Sequence, residues 1–93
     1  MASSLSEGAT VRYSPSERLV FDIIKRKSQP IPSTAIVAAF YKAKGEKAPY
    51  NSRQIVMGSL RSLLKKMAVN KETVKIERIK KEGNKVLEYQ VAD

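Results

Sequence analysis

SRQIVMGSLRSLLKKMAVNK, residues Ser52–Lys71, carries five basic side chains (Arg53, Arg61, Lys65, Lys66, Lys71) and not one acidic residue. At about 100° per residue, Val56, Leu60, Leu63, Leu64 and Met67 gather on one side of a helix. Gln54, Gly58, Arg61, Ser62 and Lys65 fall on the other. The spacing predicts an amphipathic helix from Asn51 to about Met67 or Ala68, with Asn51 as its cap and Gln54 completing the capping pattern. Tyr50, just before it, fits a hydrophobic staple.

Downstream, Thr73–Lys80 (TVKIERIK) alternates through Val74 and Ile76, and Lys85–Ala92 (KVLEYQVA) alternates through Leu87, Tyr89 and Val91. Glu82-Gly83-Asn84 between them is a tight-turn signal, so the chain is expected to end in an antiparallel hairpin. Upstream, Ser14-Pro15-Ser16-Glu17 starts a first helix: Ser14 caps, Pro15 suits the first helical position and Glu17 completes a capping box. Its apolar stripe is Leu19, Val20, Ile23 and Ile24, with Arg18, Asp22, Lys25 and Arg26 opposite. Gln29-Pro30-Ile31-Pro32 cannot continue a helix, which should stop near Ser28; Ile31 between two prolines suits a short edge strand. A second helix is expected over Thr34–Lys44, capped by Ser33 and ended by Gly45. Met1–Tyr13 reads chiefly as a flexible N-terminal arm, in which Ala9, Val11 and Tyr13 alternate enough to allow a short strand. The domain proper is expected over residues 14–93.

Composition narrows the function. Leu, Ile, Val and Phe total 23 of 93 residues, enough for one small core. Eighteen basic against nine acidic residues favour a polyanionic partner: nucleic acid, an acidic membrane surface or an acidic protein. The surplus is uneven, since residues 72–93 carry five basic and five acidic side chains. With no Cys there is no disulfide, thiol nucleophile or cysteine zinc site, and with no His the commonest general base and metal ligand are missing. No phosphate-loop or dinucleotide motif occurs. The expectation is a binding protein without cofactor or metal; a carboxylate enzyme is the distant rival. No apolar run approaches the ~20 residues of a membrane span, and the N-terminus lacks the apolar middle of a signal peptide. An intracellular protein is expected, cytoplasmic or nucleoid-associated, or nuclear in a eukaryote.

The succession helix, short strand, helix, basic helix, hairpin over Ser14–Val91 resembles the winged helix-turn-helix superfamily. That resemblance implies an α+β fold, a three-helix bundle with a short strand and a C-terminal hairpin. It also implies a third helix that reads the major groove and a wing tip at residues 80–85. A more local similarity links Asn51-Ser52-Arg53 and Leu60-Arg61-Ser62-Leu63-Leu64 to the third helix of the linker-histone globular domain. The two pieces align only with a one-residue insertion, a rotation of ~100°, so no residue roles are carried over.

The residues support the same partner. Arg61 and Gln54 can form bidentate contacts with guanine and adenine edges, while Lys65 neutralises phosphate. Arg61 and Lys65 are expected to dominate, with Gln54 reading bases and Ser62 beside them. Gly58 either admits a groove wall or marks close packing against another helix. Ser52 and Arg53 occupy the first turn, where helical amides favour a phosphate; Arg53 would have to curl outward, or else pair with Glu46. At the wing, Lys80, Lys81, Asn84 and Lys85 surround the turn, against Glu77, Glu82 and Glu88. Lys25-Arg26-Lys27 is explained by the carbonyl end of the first helix. Tyr89, Phe21 and Phe40 read as core, leaving no secure stacking platform, so RNA is the lesser alternative. The expected function is duplex DNA binding, as a transcriptional regulator or a chromosome- or phage-associated accessory protein. The rival is a protein-interaction module meeting an acidic partner, with Ile55 and Met57 adding apolar contact. A monomer and a dimer through arm or hairpin are both compatible with the sequence.

Overall fold

In the computed structural model, which describes residues 5, 10–27, 29–80, 82–83 and 86–92, each apolar stripe finds a partner. Helix α1 spans Pro15–Lys25. The capping box is in place: the Glu17 amide donates to Ser14 Oγ at 3.2 Å and the Ser14 amide donates to Glu17 Oε1 at 2.6 Å. Val20, Phe21, Ile23 and Ile24 are buried, a wider arc than one stripe because α1 meets the other two helices and the last strand. The helix ends short of Ser28, its final turn tightened by the Lys27 amide donating to the Ile24 carbonyl at 3.3 Å.

Strand β1 (Ile31–Pro32) lies on a sheet edge, where the missing proline N–H costs no ladder bond. It leads directly into α2 (Ser33–Lys44). Ser33 does not cap this helix, contrary to expectation. Pro32 holds the extended cap position, and the Ser33 amide instead donates to the Leu87 carbonyl at 3.1 Å, continuing the sheet pairing. Ser33 is thereby drawn inside, its Oγ buried without a hydrogen-bond partner among the described residues. Gly45 ends α2 in the left-handed conformation (φ 68°), and the Glu46 amide closes the turn onto the Tyr41 carbonyl at 3.1 Å.

Helix α3 spans Ser52–Val69 and buries Val56, Leu60, Leu63 and Met67, with Leu64 half-buried. Two local expectations fail at its start. Asn51 makes no side-chain cap: the Ser52 amide donates to the Pro49 carbonyl, and this turn leaves Asn51 at φ −99°, ψ 22° instead of the extended geometry a cap needs. Tyr50 is fully exposed and staples nothing, because the same turn directs it away from the helix. At the other end Lys71 adopts φ 53° and the Glu72 amide closes onto the Met67 carbonyl at 3.1 Å.

Strands β2 (Lys75–Ile79) and β3 (Glu88–Ala92) form the expected antiparallel hairpin, with Ile76 opposite Val91 and Arg78 opposite Tyr89. Gly83 in its turn has φ 80°, a backbone that suits glycine. β3 is central, since β1 pairs on its other side with Ile31 opposite Tyr89. The result is a small α+β domain of three helices and a three-stranded antiparallel sheet ordered β1-β3-β2. Its core runs from Val20, Ile24, Ile36 and Phe40 to Val56, Leu63 and Val74. Fully burying each such side chain is worth about 1.5–3 kcal/mol before ordering costs.

The packed body starts earlier than Ser14. Tyr13 is buried in the core and its hydroxyl donates to Glu72 Oε2. Val11 exchanges two 2.9 Å hydrogen bonds with the Asn70 side chain, so residues 11–13 are docked onto the end of α3 and do not belong to a flexible arm. Ala9, in the expected alternation, lies outside the described residues. Among the described residues no helix is long and apolar enough to cross a membrane.

Candidate nucleic-acid interface

Because α3 is anchored along Val56, Leu60, Leu63 and Met67, the residues spaced four, three and four apart on its far side point outward. Gln54, Gly58, Arg61 and Lys65 are all exposed on this strip. A Cβ built on Gly58 meets nothing within 4 Å. Close packing against another helix is therefore not what that glycine serves among the described residues. The strip holds no acidic side chain, and among the described residues no ion pair engages Arg61 or Lys65.

Ser62 departs from this strip. It is half-buried and hydrogen-bonds Glu17 across the seam between α3 and α1. Lys66 faces the same seam, donating to Glu17 Oε1 at 2.8 Å and to the Arg12 carbonyl at 2.9 Å. Burial alone would push the Glu17 carboxyl up. The hydrogen bonds from Lys66, the Ser14 amide and the Ser62 and Ser14 hydroxyls outweigh it and lower the carboxyl to about 2. Tyr13, in the same seam, is raised above the usual phenol value, by burial first and by the Glu72 carboxylate beside its hydroxyl, against the Asn70 hydrogen bond. Of the four cations on α3 (Arg53, Arg61, Lys65, Lys66), Lys66 thus holds the fold together and is not part of an outward-facing charge.

Toward the sheet, α3 borders a groove of about 380 Å³. Arg53 lines it with Gln54, Met57 and Arg61, so Arg53 does turn outward; Glu46 pairs with Lys44 at 3.4 Å instead. Its other wall carries Arg78 of β2 with Leu87 and Tyr89, and among the described residues no carboxylate lines it. The sequence reading missed Arg78. The available signal was the row Val74, Ile76, Arg78, in which an inward-facing strand position holds a cation where alternation calls for an apolar residue. Ser52 sits half-buried in the first turn of α3. Lys80 is exposed just past β2, while Lys81, Asn84 and Lys85 lie outside the described residues.

What this arrangement offers chemically is a cationic surface: exposed guanidinium and ammonium groups stand on one helix with no ion-paired acid among the described residues. Ile55 is exposed at the start of α3 near Tyr50, adding apolar surface at the same end. No protein-family model, curated protein or solved structure matches the chain.

Proposed function

We propose that this is a winged-helix domain that binds duplex DNA, with α3 in the major groove and the β2–β3 hairpin against the backbone. The observation that carries the reading is the acid-free strip Gln54, Gly58, Arg61, Lys65 on a helix fixed by its opposite face. The sheet order β1-β3-β2 and the hairpin directly after α3 suit the same architecture. Arg61 and Gln54 supply bidentate donors for base edges, Lys65 and Arg53 supply cations for phosphates, and Gly58 leaves room for a groove wall. The role that fits such a small basic domain is transcriptional regulation or a chromosome- or phage-associated accessory function, and we assign it no catalytic step.

The exposed Ile55 and Tyr50 favour one alternative, a protein-interaction module whose acidic partner meets the same strip. Fluorescence anisotropy of a labelled random duplex across a salt series separates the two. Wild type should bind at low salt and weaken steeply as salt rises. The double variant Arg61→Glu, Lys65→Glu should lose on the order of 100-fold in affinity while keeping its circular dichroism. Absence of wild-type binding at low salt, or binding indifferent to the double substitution, would move the reading to the acidic protein.

A further inference from the structure

Alternation along the hairpin sorts its charges by face. On β2, Glu77 stands opposite Gln90, which donates to Glu77 Oε2 at 3.2 Å, and Ile79 stands opposite Glu88. Both strand carboxylates therefore lie on the sheet face away from Tyr89. Arg78 stands opposite Tyr89, which is only 6% exposed, and shares the helix-facing row with Ile76 and the buried Val74. Arg78 ends this row exposed and places a cation on the sheet wall of the groove, which Arg53 and Arg61 line from the helix.

Among the described residues no ion pair engages any of these three guanidiniums. Arg53 and Arg78, uncompensated on opposite walls of a groove floored by Leu60, Leu87 and Tyr89, favour an anion between them, while Arg61 at its rim stays available to base edges. The guanidinium fork matches the oxygens of a phosphate.

We propose that the groove between α3 and the hairpin seats the phosphate backbone of one DNA strand, and that Arg78 is the contact contributed by the sheet. This assignment rests on the duplex-binding reading above and adds a residue to it from outside both the helix and the hairpin tip. The backbone in this groove is held from two sides, which fixes how deeply α3 enters the duplex.

The test is duplex anisotropy across a salt series for wild type, Arg78→Gln, Arg78→Lys and, as a control, Lys27→Gln. Lys27 is exposed beyond α1 and does not line the groove. Arg78→Gln should reduce the slope of log affinity against log salt by about 0.9 and weaken binding several-fold. Arg78→Lys, which keeps the charge, should restore most of the slope. Lys27→Gln should leave the slope at the wild-type value. A wild-type slope for Arg78→Gln overturns the assignment while leaving DNA binding intact, and so does an equal loss for Lys27→Gln. If wild type binds no duplex at low salt, the duplex reading falls and the assignment falls with it.

Discussion

Lys65 and Lys66 are neighbours on one helix and serve opposite ends. Lys66 lies in the α1–α3 seam against a carboxylate whose side chain is only 4% exposed, and its ammonium donates a second hydrogen bond to a backbone carbonyl. Lys65 is exposed on the strip that continues toward Arg61, with no acid nearby on the helix. The same contrast extends to the two flanks of α3. The seam toward α1 gives each carboxylate a donor, with Lys66 against Glu17 and the Tyr13 hydroxyl donating to Glu72. The groove toward the sheet is cationic, lined by Arg53, Arg61 and Arg78 and, among the described residues, by no carboxylate. The Glu17–Lys66 charge is paired within the fold, whereas that of Arg53, Arg61 and Arg78 is left without an ion-pair partner among the described residues.

The sharpest way to break this contrast is to remove the two lysines separately. Lys66→Ala leaves the buried Glu17 carboxylate without its cation and should cost about 3 kcal/mol in urea denaturation. Lys65→Ala should change stability by less than ~0.5 kcal/mol. Duplex binding should reverse the order, with Lys65→Ala flattening the salt slope by about one unit and folded Lys66→Ala retaining it. Equal stability losses would erase the distinction between the two flanks.

The seam also has a pH signature. Glu17 falls from an ordinary 4.5 to about 2 on folding, so the folded state favours its ionised form. Its contribution is fully present above pH ~4.5 and is lost as the pH drops toward 2, by an amount on the order of 3 kcal/mol. Stability measured by denaturant at each pH should fall through that window in wild type and fall less in Glu17→Gln, which has no proton to take up at that position. Identical pH profiles would show that the seam carboxyl is not held as described.

The smallest effect belongs to Gly58. With open space around it, Gly58→Ala should raise stability by up to about 1 kcal/mol through helix propensity alone. The added methyl should at the same time weaken duplex binding if a groove wall approaches there. A more stable variant with unchanged affinity would take Gly58 out of the interface.

Much of this was legible in the sequence because it depends on local spacing. The Ser14–Glu17 box, the edge strand at Ile31, the antiparallel hairpin and the exposed strip at Gln54, Gly58, Arg61 and Lys65 all follow from period and turn chemistry. Capping at Ser33 and Asn51 was misread because a cap needs the right backbone at its own position. That backbone was set by pairing with Leu87 in one case and by the Pro49 turn in the other. Tyr13, Ser62 and Lys66 were illegible for a different reason: their partners Glu72 and Glu17 lie far along the chain, and nothing local separates Lys66 from Lys65. Arg78 stood in plain sight in an alternating row, but its meaning needed the strand register and the helix opposite.

The most direct test of the proposed duplex-binding face is a chemical-shift titration of the 15N-labelled domain with an unlabelled random duplex at low salt. The account predicts that the amides of Arg53, Gln54, Gly58, Arg61, Lys65 and Arg78 shift together, while Asp22 and Lys25 on the outer face of α1 stay in place. Shifts confined to α1 or α2, or none at any duplex concentration, would contradict it.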